Sequence, residues 1–146
     1  MKIHLHSLCR WGVVLRAEIK VIDTTYADIL DADVDLRDWK PADPECFYLD
    51  LMVGVGPAGE DALEWFDVYV CTPRWLLEQE QRGKGYLWPQ GRLLMWRYDY
   101  ELMTAAIRQM VSRFDAPDWE SLAVSLSRYM HWEFTDYQPV PPWLRT

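Results

Sequence analysis

The hydrophobic positions of this chain change their spacing sharply within residues 91–114. Residues 91–98 are rich in large apolar and aromatic side chains, which predicts a short buried strand. Asp99 then occupies the N-cap position, and the pattern that follows has the spacing of an amphipathic helix. The apolar stripe of this helix comprises Leu102, Met103, Ala106, Ile107, Met110, Val111 and Phe114. Because so apolar a face must be buried, we expect the helix to lie on a sheet.

Alternating and helical patterns elsewhere predict four more strands and two more helices. The strands are residues 15–22, 47–55, 63–71 and 131–137, and the helices are residues 73–81 and 118–129. Gly and Pro in residues 56–61 predict a tight turn that joins two strands as a hairpin. Thr72 supplies an N-cap and Pro73 the first helical position of the shorter helix. This order predicts an α+β fold, a mainly antiparallel sheet of four to six strands with three helices largely on one face.

The length of the chain and the lack of a dividing linker predict a single domain. The chain has 146 residues, and residues 15–137 contain neither an internal repeat nor a linker long enough to divide them. Residues 1–14 are interpreted as an N-terminal extension or an extra strand. Residues 138–146 form a Pro-rich C-terminal tail that cannot be a central strand.

The acidic residues are concentrated in one third of the chain. The net charge is −8, yet the segment from Asp23 to Asp67 alone holds 13 acidic and two basic residues, a formal charge of −11. An acidic surface argues against a nucleic-acid partner, because phosphates require a basic one. Two explanations stay open, a solvated surface that aids solubility and a patch that meets a basic partner.

The cysteines and the apolar runs indicate the compartment. Cys9, Cys46 and Cys71 are odd in number and widely spaced, which favours neither a disulfide framework nor a metal site and fits the reduced cytosol. No run has the length of a transmembrane helix, and residues 1–14 lack the apolar core of a signal peptide. We therefore predict a cytoplasmic protein without a membrane partner.

Few residue combinations in the chain favour catalysis. His131 precedes a predicted strand among aromatic residues and is interpreted as structural. Residues 54–59 read as a proline turn rather than a phosphate-binding loop, since no helix follows them. Glu64 and Asp67 form a carboxylate pair that surface charge explains at least as well as acid–base work. Cys71 fits a buried packing role better than a reactive thiol. We predict no enzymatic activity, no cofactor and no metal.

The two most distinctive motifs are WFDVYVCTPRWL at residues 65–76 and RYMHWEFTDY at residues 128–137. Together they resemble the immunity protein 8 family of bacterial polymorphic toxin systems, whose pattern includes F-D-x-x-V-C-T-P-x-W-L. The PADPE segment at residues 41–45 and the GPAGE turn at residues 56–60 are similar to the same family. The resemblance extends over residues 15–137.

This resemblance implies a small cytosolic protein encoded beside a toxin gene. Such a protein binds the C-terminal toxin domain of a secreted or contact-delivered effector, as in contact-dependent growth inhibition, and protects the producing cell. Toxins of these systems are often nucleases, which carry basic clefts for phosphates. The chemistry of the toxin and the oligomeric state of this chain stay open.

The toxin-facing surface is predicted on the acidic connection and on the hairpin turn. The candidate residues are Asp31, Asp33, Asp35, Asp38 and Trp39 in the connection and Glu60, Asp61 and Glu64 at the turn. Carboxylates there would meet a basic cleft with complementary charge and speed association. Two other classes stay open, a scaffold or interaction module without a toxin and a small hydrolase, which a clustered His, Cys and carboxylate pocket would favour.

Overall fold

The computed structural model of the protein describes residues 14–24, 35–80, 83 and 85–135. Its strands are β1 (Leu15–Thr24), β2 (Tyr48–Pro57), β3 (Glu64–Cys71), β4 (Arg92–Leu94), β5 (Asp115–Ala116) and β6 (His131–Trp132). Its helices are α1 (Pro73–Glu80), α2 (Tyr100–Ser112) and α3 (Trp119–Leu126). The predicted N-terminal extension, except Val14, and the predicted tail at residues 138–146 lie outside the described residues.

The strands form one sheet in the order β4-β3-β2-β1-β5, and β6 also pairs with β3. Because β2 pairs along one whole edge of β3, both β4 and β6 use the other edge. The β3–β4 pair is parallel, and the other pairs are antiparallel. The predicted α+β fold with a mainly antiparallel sheet is confirmed, although the sheet is mixed.

The β2–β3 hairpin confirms the turn predicted from Gly and Pro. Gly59 has a φ of 81°, a backbone conformation that glycine adopts without steric cost. The Glu60 N–H donates to the Pro57 carbonyl, and the Ala58 N–H donates to the Arg16 carbonyl of β1 at 2.8 Å. The turn is therefore held against the neighbouring strand as well as closed on itself.

The core lies between one face of this sheet and the helices α2 and α3. Leu49, Leu51, Val53 and Val55 alternate along β2, and each is fully buried. The residues that α2 and α3 bury in this core are Met103, Thr104, Ile107, Val111, Trp119, Leu122, Ala123 and Leu126. The apolar stripe predicted for α2 is thus confirmed, except that Leu102 is exposed.

The predicted N-cap of α2, Asp99, and the residue that precedes α3, Asp118, both accept backbone hydrogen bonds. The Asp99 carboxylate accepts from the Leu102 N–H at 3.0 Å, and the Asp118 carboxylate accepts from the Ser121 N–H at 2.7 Å. Each cap satisfies a backbone donor that the first helical turn leaves unpaired. These two caps fix where α2 and α3 begin.

The strand predicted over residues 91–98 is wrong in length and in burial. Within residues 91–98, only Arg92–Leu94 form a strand, because the partner strand β3 ends at Cys71. The Cys71 carbonyl accepts a last hydrogen bond from the Met95 N–H at 3.0 Å. Beyond this bond the chain leaves the sheet, and the Tyr98 N–H donates to the Pro44 carbonyl at 2.7 Å. The side chain of Trp96, between these two anchors, is exposed.

The last predicted strand, residues 131–137, is also too long. β6 ends at Trp132, although the Glu133 N–H still donates to the Trp65 carbonyl at 3.1 Å. The Thr135 N–H then donates to the Trp132 carbonyl, so the chain turns away from the sheet. β5 was not predicted, because a two-residue strand carries no periodic signal.

Candidate protein-binding surface

The described part of the predicted acidic connection is a tight turn at residues 35–39. The Asp38 N–H donates to the Asp35 carbonyl at 2.8 Å, and both carboxylates are exposed. The Arg37 guanidinium lies 2.8 Å from the Asp35 carboxylate and lowers the pKa of Asp35. Asp31 and Asp33 lie outside the described residues. Arg37 neutralises part of the negative charge that the sequence places here.

Trp39 ties this acidic turn to the body of the protein. Its ring makes an edge contact with Tyr98 at a centroid distance of 5.2 Å, and Tyr98 makes a similar contact with Phe47 at 5.1 Å. Burial raises the pKa of Tyr98 to about 12, which agrees with the packing of its ring between Trp39 and Phe47. Leu36, inside the turn, is buried. The turn is consequently anchored by packing and displays its carboxylates from a fixed position.

The second predicted acidic segment is the β2–β3 turn. Asp61 is exposed and Glu60 is half-buried. The Gly59 N–H donates to the Glu18 carboxylate at 3.3 Å, which adds another acid to this end of the sheet. Lys20 contacts the same Glu18 carboxylate at 3.0 Å.

The two acidic segments lie at opposite ends of the sheet. The turn at residues 35–39 packs through Tyr98 onto Phe47, just before β2 begins, whereas Asp61 follows the end of β2. Ten residues of strand span roughly 30 Å, at about 3.3 Å per residue. The structure therefore does not bring the two predicted groups together into one compact patch.

Among the candidate residues that the structure describes, Glu64 alone is buried. It is 2% exposed, and its carboxylate accepts a hydrogen bond from the Trp119 indole N–H. Glu64 pairs with Val55 and shares the inward face of β3 with Phe66, so the side chain points into the core. The prediction that Glu64 belongs to an exposed surface is wrong, and its carboxylate instead links α3 to the hairpin.

Replacing Glu64 with leucine should lower the free energy of unfolding by about 1–3 kcal/mol, because the buried Trp119 N–H would lose its acceptor. Glu64→Gln keeps an oxygen acceptor at nearly the same volume and should cost less. Urea unfolding monitored by circular dichroism measures both variants. Equal losses for the two would contradict a hydrogen-bonding role for this carboxylate.

Several ionisable and aromatic groups meet on the opposite face of the sheet. The His131 ring lies 5.4 Å from the Tyr69 ring, and its Nε2 is 3.1 Å from the Gln90 carbonyl oxygen. A Cβ added to Gly91 would lie 2.3 Å from the His131 ring, so glycine permits this close packing. Burial raises the pKa of Asp67, which pairs with His131 across the strands. The imidazole packs against the loop before β4, as its structural interpretation expects.

Cys71 has the buried environment that its sequence context predicts. Cys71 is buried, and burial raises the pKa of its thiol, which opposes formation of a reactive thiolate. Within residues 14–24, 35–80, 83 and 85–135, no group of three or more His, Cys, Asp or Glu side chains could hold a metal ion. Among the same residues, every helix is too short or too polar to cross a membrane.

An exposed apolar groove lies beside the acidic turn, and sequence reasoning missed it. The exposed fractions of its large side chains are 80% for Trp96, 60% for Leu102 and 47% for Leu94. The groove has a volume of about 450 Å³ and shares Arg97 and its two following residues with a second groove that Trp39 lines. No sequence signal marks this groove, because residues 93–96 are all apolar and the burial of Met95 between exposed Leu94 and Trp96 is visible only in the structure.

These features define a class of protein, a small domain that binds other proteins. It is a small α+β domain with an anchored acidic turn and an exposed apolar groove, surfaces typical of contacts with other proteins. The family described as Immunity protein 8 matches residues 20–137, and the chain belongs to this family. The resemblance found in the sequence motifs is thereby confirmed. Neither the curated proteins nor the solved structures contain a match.

Proposed function

We propose that this protein binds and neutralises a toxin domain encoded by a neighbouring gene and so protects the producing cell. Membership of the Immunity protein 8 family over residues 20–137 is the observation that carries this proposal. The partner is the C-terminal domain of a secreted or contact-delivered effector. The protection takes place in the cytoplasm, by one-to-one binding and without any reaction catalysed by this chain.

The toxin proposed here is a nuclease, or another protein with a basic cleft. The support is the charge of this chain, −8 in total and −11 between Asp23 and Asp67. Opposite charges accelerate encounter at low salt and orient the partners before contact. One compact contact cannot cover both acidic segments, because they lie at opposite ends of β2. We assign the main contact to the turn at residues 35–39, which lies beside the exposed apolar groove. Asp31 and Asp33 extend this turn in sequence.

Co-expression tests the function itself. A cell producing the toxin domain encoded by the adjacent reading frame should stop growing, and growth should be restored when this chain is also produced. A cell carrying the empty second vector is the control. Growth arrest that persists at full expression of the folded chain would contradict the immunity role.

Reversing the acidic turn should slow association with the toxin domain. Lysine at Asp31, Asp33, Asp35 and Asp38 is expected to lower the association rate constant about tenfold or more at low salt. The effect should shrink as ionic strength rises, because salt screens exposed charges. Stopped-flow or surface plasmon resonance at several salt concentrations measures it.

A matched control separates the local contact from the net charge. Asp35→Lys with Asp38→Lys changes the charge by +4, as does Glu60→Lys with Asp61→Lys at the far end of β2. The first pair should slow association much more than the second. Equal slowing would indicate an effect of net charge alone, and no slowing by either pair would remove the acidic turn from the interface.

A further inference from the structure

We propose that the toxin domain is held chiefly by the apolar groove beside the acidic turn. This Trp96 groove is lined by Leu93, Leu94, Met95, Trp96, Leu102 and Ala106. The inference rests on the proposed immunity function and names the surface that performs it. In this arrangement the groove determines how slowly the toxin dissociates, and the acidic turn determines how fast it associates.

The exposure of Trp96 is the first observation behind the proposal. Exposed large apolar side chains that lie together are a mark of contact sites, whereas single ones are ordinary. Here an indole that is 80% exposed lies in one groove with Leu102 and Leu94, two further exposed apolar side chains. Tryptophan is also among the residues enriched at the energetic centres of protein interfaces.

The backbone on both sides of Trp96 is fixed, so the groove is preorganised. The preceding residue, Met95, donates its N–H to the Cys71 carbonyl at 3.0 Å, and its side chain is buried. Two residues later the Tyr98 N–H donates to the Pro44 carbonyl at 2.7 Å. Leu102 lies in the first turn of α2, which Asp99 caps. A surface that is already ordered loses little conformational entropy on binding.

The Trp96 groove is continuous with the acidic turn. This continuity favours the toxin domain as the partner that occupies the groove. Arg97, Tyr98 and Asp99 line both the Trp96 groove and the neighbouring groove of about 410 Å³ that contains Trp39. The Trp39 and Tyr98 rings make contact across this boundary. A partner that covers the acidic turn therefore approaches Trp96 as well. One toxin domain can engage both, with the aromatic contact towards the centre and the carboxylates at the rim.

Charge argues against a second copy of this chain as the occupant. In a two-fold dimer the same patch meets itself, so the acidic turns of both copies would enter one interface. Asp38, Asp99 and Glu101 are exposed close to the two grooves. Of the cations that line the grooves, Arg37 lies 2.8 Å from Asp35 and Arg97 lies 3.8 Å from Glu45, while Lys40 is exposed, so acidic groups predominate. Like charges brought together would weaken such a dimer. The fitting partner instead presents an apolar protrusion flanked by basic side chains.

The experiment measures binding of the purified toxin domain encoded by the adjacent reading frame. Trp96→Ala should raise its Kd roughly 30-fold or more, almost entirely through faster dissociation. Trp88→Ala is the matched control, since Trp88 is 81% exposed and does not line the Trp96 groove. It should change the Kd less than about threefold, the ordinary effect of a residue away from the binding centre.

A second pair of variants tests the groove wall on α2. Leu102→Asp should weaken binding strongly, whereas Leu77→Asp, at a similarly exposed leucine on α1, should not. Urea unfolding midpoints confirm that all four variants remain folded. A Kd unchanged by both Trp96→Ala and Leu102→Asp, with tight binding by the unmodified chain, would overturn the groove and leave the immunity function intact.

Two other outcomes also decide the matter. Failure of the unmodified chain to bind the toxin domain would overturn the proposed function and the groove with it. Light scattering that shows a dimer of the unmodified chain, converted to monomer by Trp96→Ala, would overturn the toxin as occupant in favour of a second copy.

Discussion

Replacing Trp119 with alanine is expected to lower the free energy of unfolding by about 3–5 kcal/mol. Trp119 is fully buried at the start of α3, directly after the Asp118 cap, and its indole N–H donates to the buried Glu64 carboxylate. The substitution removes a large part of the core and leaves a buried acceptor with one donor fewer. Small domains have a total stability of about 5–15 kcal/mol, so this variant is expected to be close to unfolding.

Thermal and urea unfolding of three variants provides the test. Trp88→Ala removes an indole that is 81% exposed and should change stability by less than about 0.5 kcal/mol. Trp119→Phe keeps much of the apolar volume but removes the N–H donor, so its loss should fall between the other two. A loss for Trp119→Ala no larger than that for Trp88→Ala would contradict the packing of α3 against the hairpin.

The second large effect is expected from Gly56→Ala in the β2–β3 hairpin. A Cβ at this position would lie 1.8 Å from the Ala62 carbonyl oxygen and 2.9 Å from the carbonyl carbon. Both atoms belong to the backbone, so no side-chain rotation relieves the clash and the hairpin must open. Overpacking typically costs about 1–3 kcal/mol, and this contact is at or above the upper end of that range. The measured quantity is the free energy of unfolding in urea.

Gly59→Ala is the matched control in the same turn. Gly59 has a φ of 81°, but a Cβ there would meet nothing within 4 Å. Its cost should be limited to the strain of a left-handed backbone, about 1–2 kcal/mol. Gly56→Ala should be clearly the more destabilising of the two, and the reverse order would show that the close approach of Gly56 to Ala62 is wrong.

The parts of the fold that could be predicted from sequence are those set by local patterns. Helix α2 follows from the spacing of Met103, Ile107 and Val111 behind the Asp99 cap, and both period and cap act within a few residues. The β2–β3 hairpin likewise follows from its glycines and its two alternating flanks. Such features require no knowledge of which strands become neighbours in space.

The wrong predictions concern segments whose structure depends on a strand or side chain that is distant in sequence. Residues 91–98 have the composition of a buried strand, yet β4 lies at an edge and its only described partner, β3, ends at Cys71. Composition cannot show where that partner ends, so the exposure of Trp96 was missed. The sequence also could not show that Asp35 and Asp61 lie at opposite ends of β2, because that separation depends on how residues 35–39 pack onto Tyr98.

The burial of Glu64 is a feature of the candidate surface that the sequence does predict. Glu64 has the same parity along β3 as Phe66, Val68 and Val70, so alternation alone places its side chain on the inward face. The formal charge of the segment, by contrast, predicts Glu64 as a surface acid. A pattern that fixes the direction of a side chain should outweigh a charge count, which carries no directional information.

Isothermal titration of this protein with the purified toxin domain of the adjacent reading frame tests the central claim most directly. The account predicts one complex with a stoichiometry of one to one and a Kd of about 1 nM or lower, the affinity range of tight protein–protein complexes. Absence of binding at micromolar concentrations of both folded proteins would contradict it.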